Sequence, residues 1–346
     1  MVRRWLPALV VALPVSMTTA TLSGQTVPLV EQLRDLVGID LFGGADPAPD
    51  LVKGEPFVTE LPTSEATEVA LAGVVWIPSP PERYLSGVSA ISPFEHGGAV
   101  GATHRLADEP TADDLADMTL PLADLATLKT CRAGNCELRL DDATITQLER
   151  EVDWTSPQAS VAANDILRQF VLRLVRSYVA NGDSGLPVFH DKERPVAAAD
   201  QFARLLTDAV ELSTPDGDLH RYFVDYPRAS LPEGGASFLY WQIVEFGLKP
   251  VLRVNHLVVW PRGSLTIIAS RLLYASHYFW TALETRFLIV DAARPGGFYL
   301  ASVERSRSDG LTGWSGTLIG GTLRSHARQA LAGALRDMRD RLSAQH

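Results

Sequence analysis

Cysteine is almost absent: the 346 residues contain two. Two thiols cannot build a disulfide-dense scaffold or a four-thiolate zinc or iron–sulfur site. A basic surplus is missing too. Lys and Arg number 31 against 41 Asp and Glu, a formal charge of -10; this argues against a nucleic-acid partner, which requires a basic footprint. Low complexity is absent. The 26 Gly and 22 Pro show no period, so collagen-like and Pro-rich disordered classes fall away. Beyond residue 24 no uncharged run reaches the ~20 residues of a membrane-spanning helix. What is present is a globular balance, 46% hydrophobic and 21% charged residues, enough for one large domain or two ordinary ones.

Residues 1–24 read as a signal peptide. Arg3 and Arg4 form a positive start, Trp5 to Val15 an apolar stretch, and Ser16, Thr18, Ala20, Ser23 and Gly24 a small-residue end. Cleavage after Ala20 or Gly24 fits; a buried N-terminal helix is the alternative. The mature chain is thus expected to be exported, periplasmic or extracellular, and soluble. Residues 25–54 read as an N-terminal segment and linker, because GGADPAPDLVKG is dense in Gly and Pro. Residues 55–346 read as a single domain.

Within that domain Leu71–Ile77 is a strand candidate, and Pro80-Pro81 opens a short helix. The middle, about 110–230, is helical. Ser156-Pro157 starts a helix in which Ile166, Phe170, Leu174 and Tyr178 repeat every four residues, and Asn181-Gly182 stops it. From Phe238 the texture changes to β-branched and aromatic runs parted by Pro261-Arg262-Gly263-Ser264 and Arg294-Pro295-Gly296-Gly297. The Leu265–Val290 run exceeds one strand, so a reversal is expected near Ala275–Tyr278, with a helix after Tyr274 as the alternative. Short connections favour an antiparallel meander. A helix over Leu323–Leu342 closes the chain, with Leu323, Ala327, Leu331, Leu335, Met338 and Leu342 on one side and arginines on the other.

Cys131 and Cys136 bracket four residues; in an oxidising compartment they are expected to pair across the Gly134-Asn135 turn. Gly182-Asp183-Ser184-Gly185-Leu186-Pro187 resembles the nucleophile loop of trypsin-like serine proteases. It directly follows a long helix, however, and neither His96 nor His104 has that family's context. A polar helix terminus is therefore the expected role, with Ser184 not a nucleophile. His256 shares a two-residue period with Leu252, Val254, Val258 and Trp260, as a core histidine or as a ligand or acid–base group. His277 sits among Tyr274, Tyr278 and Trp280. No spacing supports a metal site, and no cofactor is indicated. Arg253, Arg271, Glu284, Arg286, Glu304 and Arg305 read most simply as a solvated sheet face; turned inward, they would need partners and could orient a polar ligand head.

The strand, the Pro80-Pro81-Glu82-Arg83-Tyr84 helix, the later antiparallel strands and the long C-terminal amphipathic helix together resemble the helix-grip order of START-like proteins. That resemblance covers under half of the chain, with the Cys-bearing helical middle as an insertion. The YASHYF and FGLKPV stretches are also similar to those of uncharacterised secreted bacterial proteins. The resemblance implies an α+β fold, an antiparallel sheet packed on the C-terminal helix, and an apolar cavity between them for a lipid or other apolar small molecule. His256, Trp260, Tyr274, His277, Trp280, Gly333 and Ala334 are the candidate ligand contacts, the glycine and alanine because they leave room on the helix. The alternative is a cavity enzyme of hydrolase or cyclase type using His256 or His277 as acid–base. A third option is protein interaction through Tyr222, Phe223 and Tyr226.

Overall fold

The computed structural model describes residues 29–38, 51, 53–91, 99–213, 216–245, 249–308 and 313–344. The signal-peptide assignment and His96 lie outside them. The fold is α+β. Strands β1 (Phe57–Glu60), β2 (Glu68–Ile77), β3 (Ala99–Arg105), β6 (Ala236–Glu245), β7 (Val251–Arg262), β8 (Leu265–Ala275), β9 (Phe279–Ile289) and β10 (Phe298–Ser308) form one sheet. Its order is β1–β2–β10–β9–β8–β7–β6–β3, and neighbouring strands run antiparallel. A two-residue pair, β4 (Val188–Phe189) and β5 (Val196–Ala197), stands apart.

The expected meander is the run from β6 to β10. Its reversal after Ala275 has no glycine; Tyr278 takes the left-handed conformation instead, at φ 62, and the chain turns without leaving the sheet. All ten residues of β2 are buried. A strand buried at every position needs cover on both faces, and the sheet has it.

One face is covered by α2 (Pro81–Ser89) and the C-terminal α8 (Gly313–Ser343). Leu331, Leu335, Met338 and Leu342, spaced three and four apart on one stripe, pack against Val69, Leu71, Val75 and Leu300. Gly73 makes the approach close enough: a Cβ there would come within 2.7 Å of Leu335 and 3.3 Å of Leu331. Outside the stripe, Arg336 pairs with Glu55 at 3.2 Å on the surface.

The other face is covered by the helices between β3 and β6: α3 (Leu122–Leu128), α4 (Asp142–Glu151), α5 (Ala159–Asn181), α6 (Ala198–Asp208) and α7 (Asp218–Asp225). Phe170, Leu174 and Tyr178 of α5 meet Trp241, Val254 and Tyr274 of the sheet. α1 (Leu29–Val37) joins this side through Leu33 and Leu36, and Leu51 is buried there as well. Cys131 and Cys136 form a disulfide with Cα atoms 4.4 Å apart. It closes the Arg132–Asn135 turn, which Asn135 ties to Lys192 by a β-bridge. Among the described residues no helix is long and apolar enough to cross a membrane.

Candidate functional site

Strand alternation sends successive side chains to opposite faces, and register decides which of them meet. On the face under α8, Glu284 of β9 stands directly opposite Glu304 of β10, and Arg286 opposite Ser302. The expectation that these charges form a solvated sheet face is not met, because α8 covers them. They line a cavity of about 170 Å3 between sheet and helix. Its helix wall is Leu331, Ala334, Leu335 and Met338; its sheet wall is Arg253, Glu284, Arg286, Ser302, Glu304 and Ser306. Val244, Phe279, Ala282 and Leu300 of the strands border it as well, so apolar residues come from both walls and charged ones from the sheet.

The charges of the sheet wall are unequally matched. Arg286 donates to Glu284 Oε1 from Nε at 2.6 Å and from Nη1 to the Tyr84 hydroxyl at 2.8 Å; its Nη2 lies 2.5 Å from the same carboxylate oxygen. Two partners hold it. Glu304 has no hydrogen bond or ion pair among the described residues. Burial, then the facing Glu284 carboxylate, pushes its pKa up to about 7, while Arg286 and Arg253 pull the other way. Beside it, Ser302 is 2% exposed and its Oγ has no partner. Further along this face, Gln242 and Asn255 are wholly buried with both amide atoms unsatisfied. Buried polar atoms without partners are uncommon and call for a physical explanation each.

Of the seven residues picked from sequence as ligand contacts, Ala334 lines this cavity. Gly333 does not: a Cβ added there would meet nothing within 4 Å. Trp280 is partly exposed at the start of β9. His256 and Trp260 share a face with Val254 and Val258 as the period required, but that face meets the helices of the middle segment. His256 Nδ1 lies 2.8 Å from the Tyr178 hydroxyl and Nε2 3.3 Å from that of Tyr222. Burial and the nearby Arg271 guanidinium lower its pKa to about 3, so it is a neutral, fully engaged core histidine. Tyr222 and Phe223 pack around it, 4% and 0% exposed, which removes them from any interaction surface. Tyr274 is turned to the same side by a β-bulge: the β7–β8 register shifts between Val254 and Asn255, so Leu273 and Tyr274 both enter the helical core. Tyr274 donates to the Arg139 carbonyl at 3.0 Å. His277, in the β8–β9 turn, lies 3.0 Å from the buried Asp124 of α3. Among the described residues no group of three or more His, Cys, Asp or Glu is placed to hold a metal ion.

The Gly182–Gly185 segment is a single helical turn that ends α5. Ser184 Oγ donates to the Asn181 carbonyl at 2.8 Å, and Asp183 pairs with the buried Arg271 at 2.6 Å. No imidazole is hydrogen-bonded to the serine. Asp183 is there to neutralise an arginine of the sheet.

Glu284, Arg286 and Glu304 entered the sequence reading as sheet charges that, turned inward, could orient a polar ligand head, and not as ligand contacts; Ser302 did not enter it. A signal existed: LETRF and SVERS put charges on strands that a C-terminal amphipathic helix and a helical middle segment must cover on both faces. The chain matches no protein-family model, and no curated protein matches it.

Proposed function

We propose that this protein binds a small amphipathic molecule in the cavity between the sheet and α8, in the manner of START-like helix-grip proteins. The observation that carries this is the cavity's lining: apolar residues from the helix and the strands, with charged and hydroxyl residues from the strands. Ligand sites commonly combine an apolar lining with a few polar groups that orient the ligand. The volume of about 170 Å3 limits the enclosed part to roughly one ring, since an apolar cavity of about 150 Å3 holds benzene. Carriage of such a molecule outside the cytoplasm is consistent with the leader pattern of residues 1–24 and with the Cys131–Cys136 disulfide.

The test is cavity filling. Wild-type protein should bind benzyl alcohol in ligand-observed NMR. Ala334→Leu, which grows a side chain into the void, should retain the fold and lose that binding. A wild type that binds no small aromatic, or an Ala334→Leu variant that binds as well as wild type, overturns the proposal. Intact mass from a secreting host, short by the leader, tests export separately.

A further inference from the structure

We propose that the polar end of the cavity's ligand is a protonated amine, held by Glu304 with Ser302 Oγ as a second acceptor. This rests on the cavity being a ligand site and adds the chemical class of the molecule.

Three observations converge on it. Two carboxylates, Glu284 and Glu304, face each other on adjacent strands, where like charges directly opposite are unfavourable. Among the described residues one cation forms an ion pair with either of them, and it is committed: Arg286 is fixed on Glu284 and on the Tyr84 hydroxyl. Glu304 is therefore left in the cavity wall with no hydrogen bond or ion pair among the described residues, and buried charges are normally paired. Ser302 supplies a second sign of a missing partner, since it lines the same cavity, is almost wholly buried and has no hydrogen bond to its Oγ among the described residues.

Among the described residues one other cation that acts on Glu304 lines the cavity, Arg253, and it forms no ion pair with Glu304. Across β2, Glu304 faces Leu71. α8 presents Leu331, Ala334, Leu335 and Met338 to the cavity, and α2 presents Tyr84 to Arg286. Arg253 reaches the cavity from β7, three strands from β10 in the sheet order, and opposes the upward shift of the Glu304 pKa without pairing with its carboxylate. An anionic head would meet an unneutralised carboxylate. A neutral head would leave it unneutralised. An ammonium with an apolar substituent matches both walls: its N–H groups donate to Glu304 and Ser302, and its substituent lies under the helix.

The experiment compares benzylamine, benzyl alcohol and toluene on the intact protein, between pH 6 and pH 8, with wild type and Glu304→Gln. Benzylamine stays cationic throughout. It should bind wild type about tenfold or more tightly than benzyl alcohol at pH 8, as a charge-assisted buried hydrogen bond implies. Its affinity should rise about tenfold from pH 6 to pH 8 as Glu304 loses its proton near pH 7, a series that needs no variant. Glu304→Gln should erase the preference for benzylamine over benzyl alcohol. Benzyl alcohol or toluene binding with no amine preference overturns the proposal and leaves the cavity reading standing; so does a preference that survives Glu304→Gln, or an amine affinity that falls with rising pH. Failure of all three probes overturns both.

Discussion

The two faces of the sheet handle buried charge differently. Toward the helices of the middle segment, the main charged groups have ion-pair or hydrogen-bond partners from other elements, although Arg271 is held by charge without a hydrogen bond and the buried Thr285 Oγ1 has none among the described residues. Arg305 donates to both oxygens of Glu211, at 2.9 and 3.3 Å, and to Glu68 at 3.3 Å. Arg271 has Asp183 and lies 3.6 Å above the Phe202 ring. His256 has a tyrosine hydroxyl at each nitrogen. Toward α8, one pair is complete, Glu284 with Arg286, and beside it Glu304, Ser302, Gln242 and Asn255 are left open. A buried polar group whose partner is built into the fold serves the fold. On the function proposed above, one that lacks a partner and lines the cavity is where another molecule would be held.

The largest effect expected from breaking this contrast is at Arg305. Arg305→Leu strands Glu211, 1% exposed, and leaves the wholly buried Glu68 with Arg307 at 3.7 Å; it should cost about 3–5 kcal/mol in urea unfolding. A variant as stable as wild type would mean that the helical face does not depend on its matched charges.

Glu304→Gln should act with the opposite sign. The folded state holds the Glu304 proton up to about pH 7, against an ordinary value of 4.5. Its contribution is therefore complete below about pH 4.5 and is lost as pH rises through 7. The variant should gain on the order of 2–3 kcal/mol over wild type at pH 8, and little at pH 4. Taking the difference between variant and wild type removes two other contributions. Burial raises the pKa of Glu68, with Arg305 opposing, which tilts stability the same way. His256, lowered from 6.5 to about 3, tilts it the other way, losing stability as pH falls below 6.5. An unchanged pH profile in Glu304→Gln would contradict the assignment.

Replacing both Cys131 and Cys136 by Ala should cost about 2 kcal/mol for so short a loop. Because the disulfide belongs to the helical side, affinity for a cavity ligand should not change; a large loss of affinity would show that the two faces are coupled. The smallest effect is expected at Ser184. Its hydroxyl caps one carbonyl on the surface, so Ser184→Ala should stay within about 0.5 kcal/mol. A fluorophosphonate probe should not label it.

The sheet was largely legible in the sequence because turn chemistry and strand texture are local. The Pro261–Ser264 and Arg294–Gly297 signals fall between β7 and β8 and between β9 and β10. The α8 stripe through Leu331, Leu335, Met338 and Leu342 was legible for the same reason. The site was not. A two-residue period sorts His256 with Val254 and Val258, but it carries no information on which layer covers that face. The bulge that rotates Tyr274 away from the cavity leaves no mark in the residue types around it. The opposition of Glu284 and Glu304 is a matter of register between strands, and register is set by tertiary pairing. Ala334 was found because small residues on an amphipathic helix are visible as such; Gly333 carried the same signal and faces open space.

Methionine offers a reporter on each side of the sheet. Met118 is buried in the helical core and Met338 lines the cavity, both on structured segments. With 13C-methyl methionine, titration of benzylamine into the wild-type protein should shift the Met338 methyl resonance progressively and leave Met118 in place. A shift centred on Met118, or none at Met338 while the amine binds, would contradict a ligand site on the α8 face.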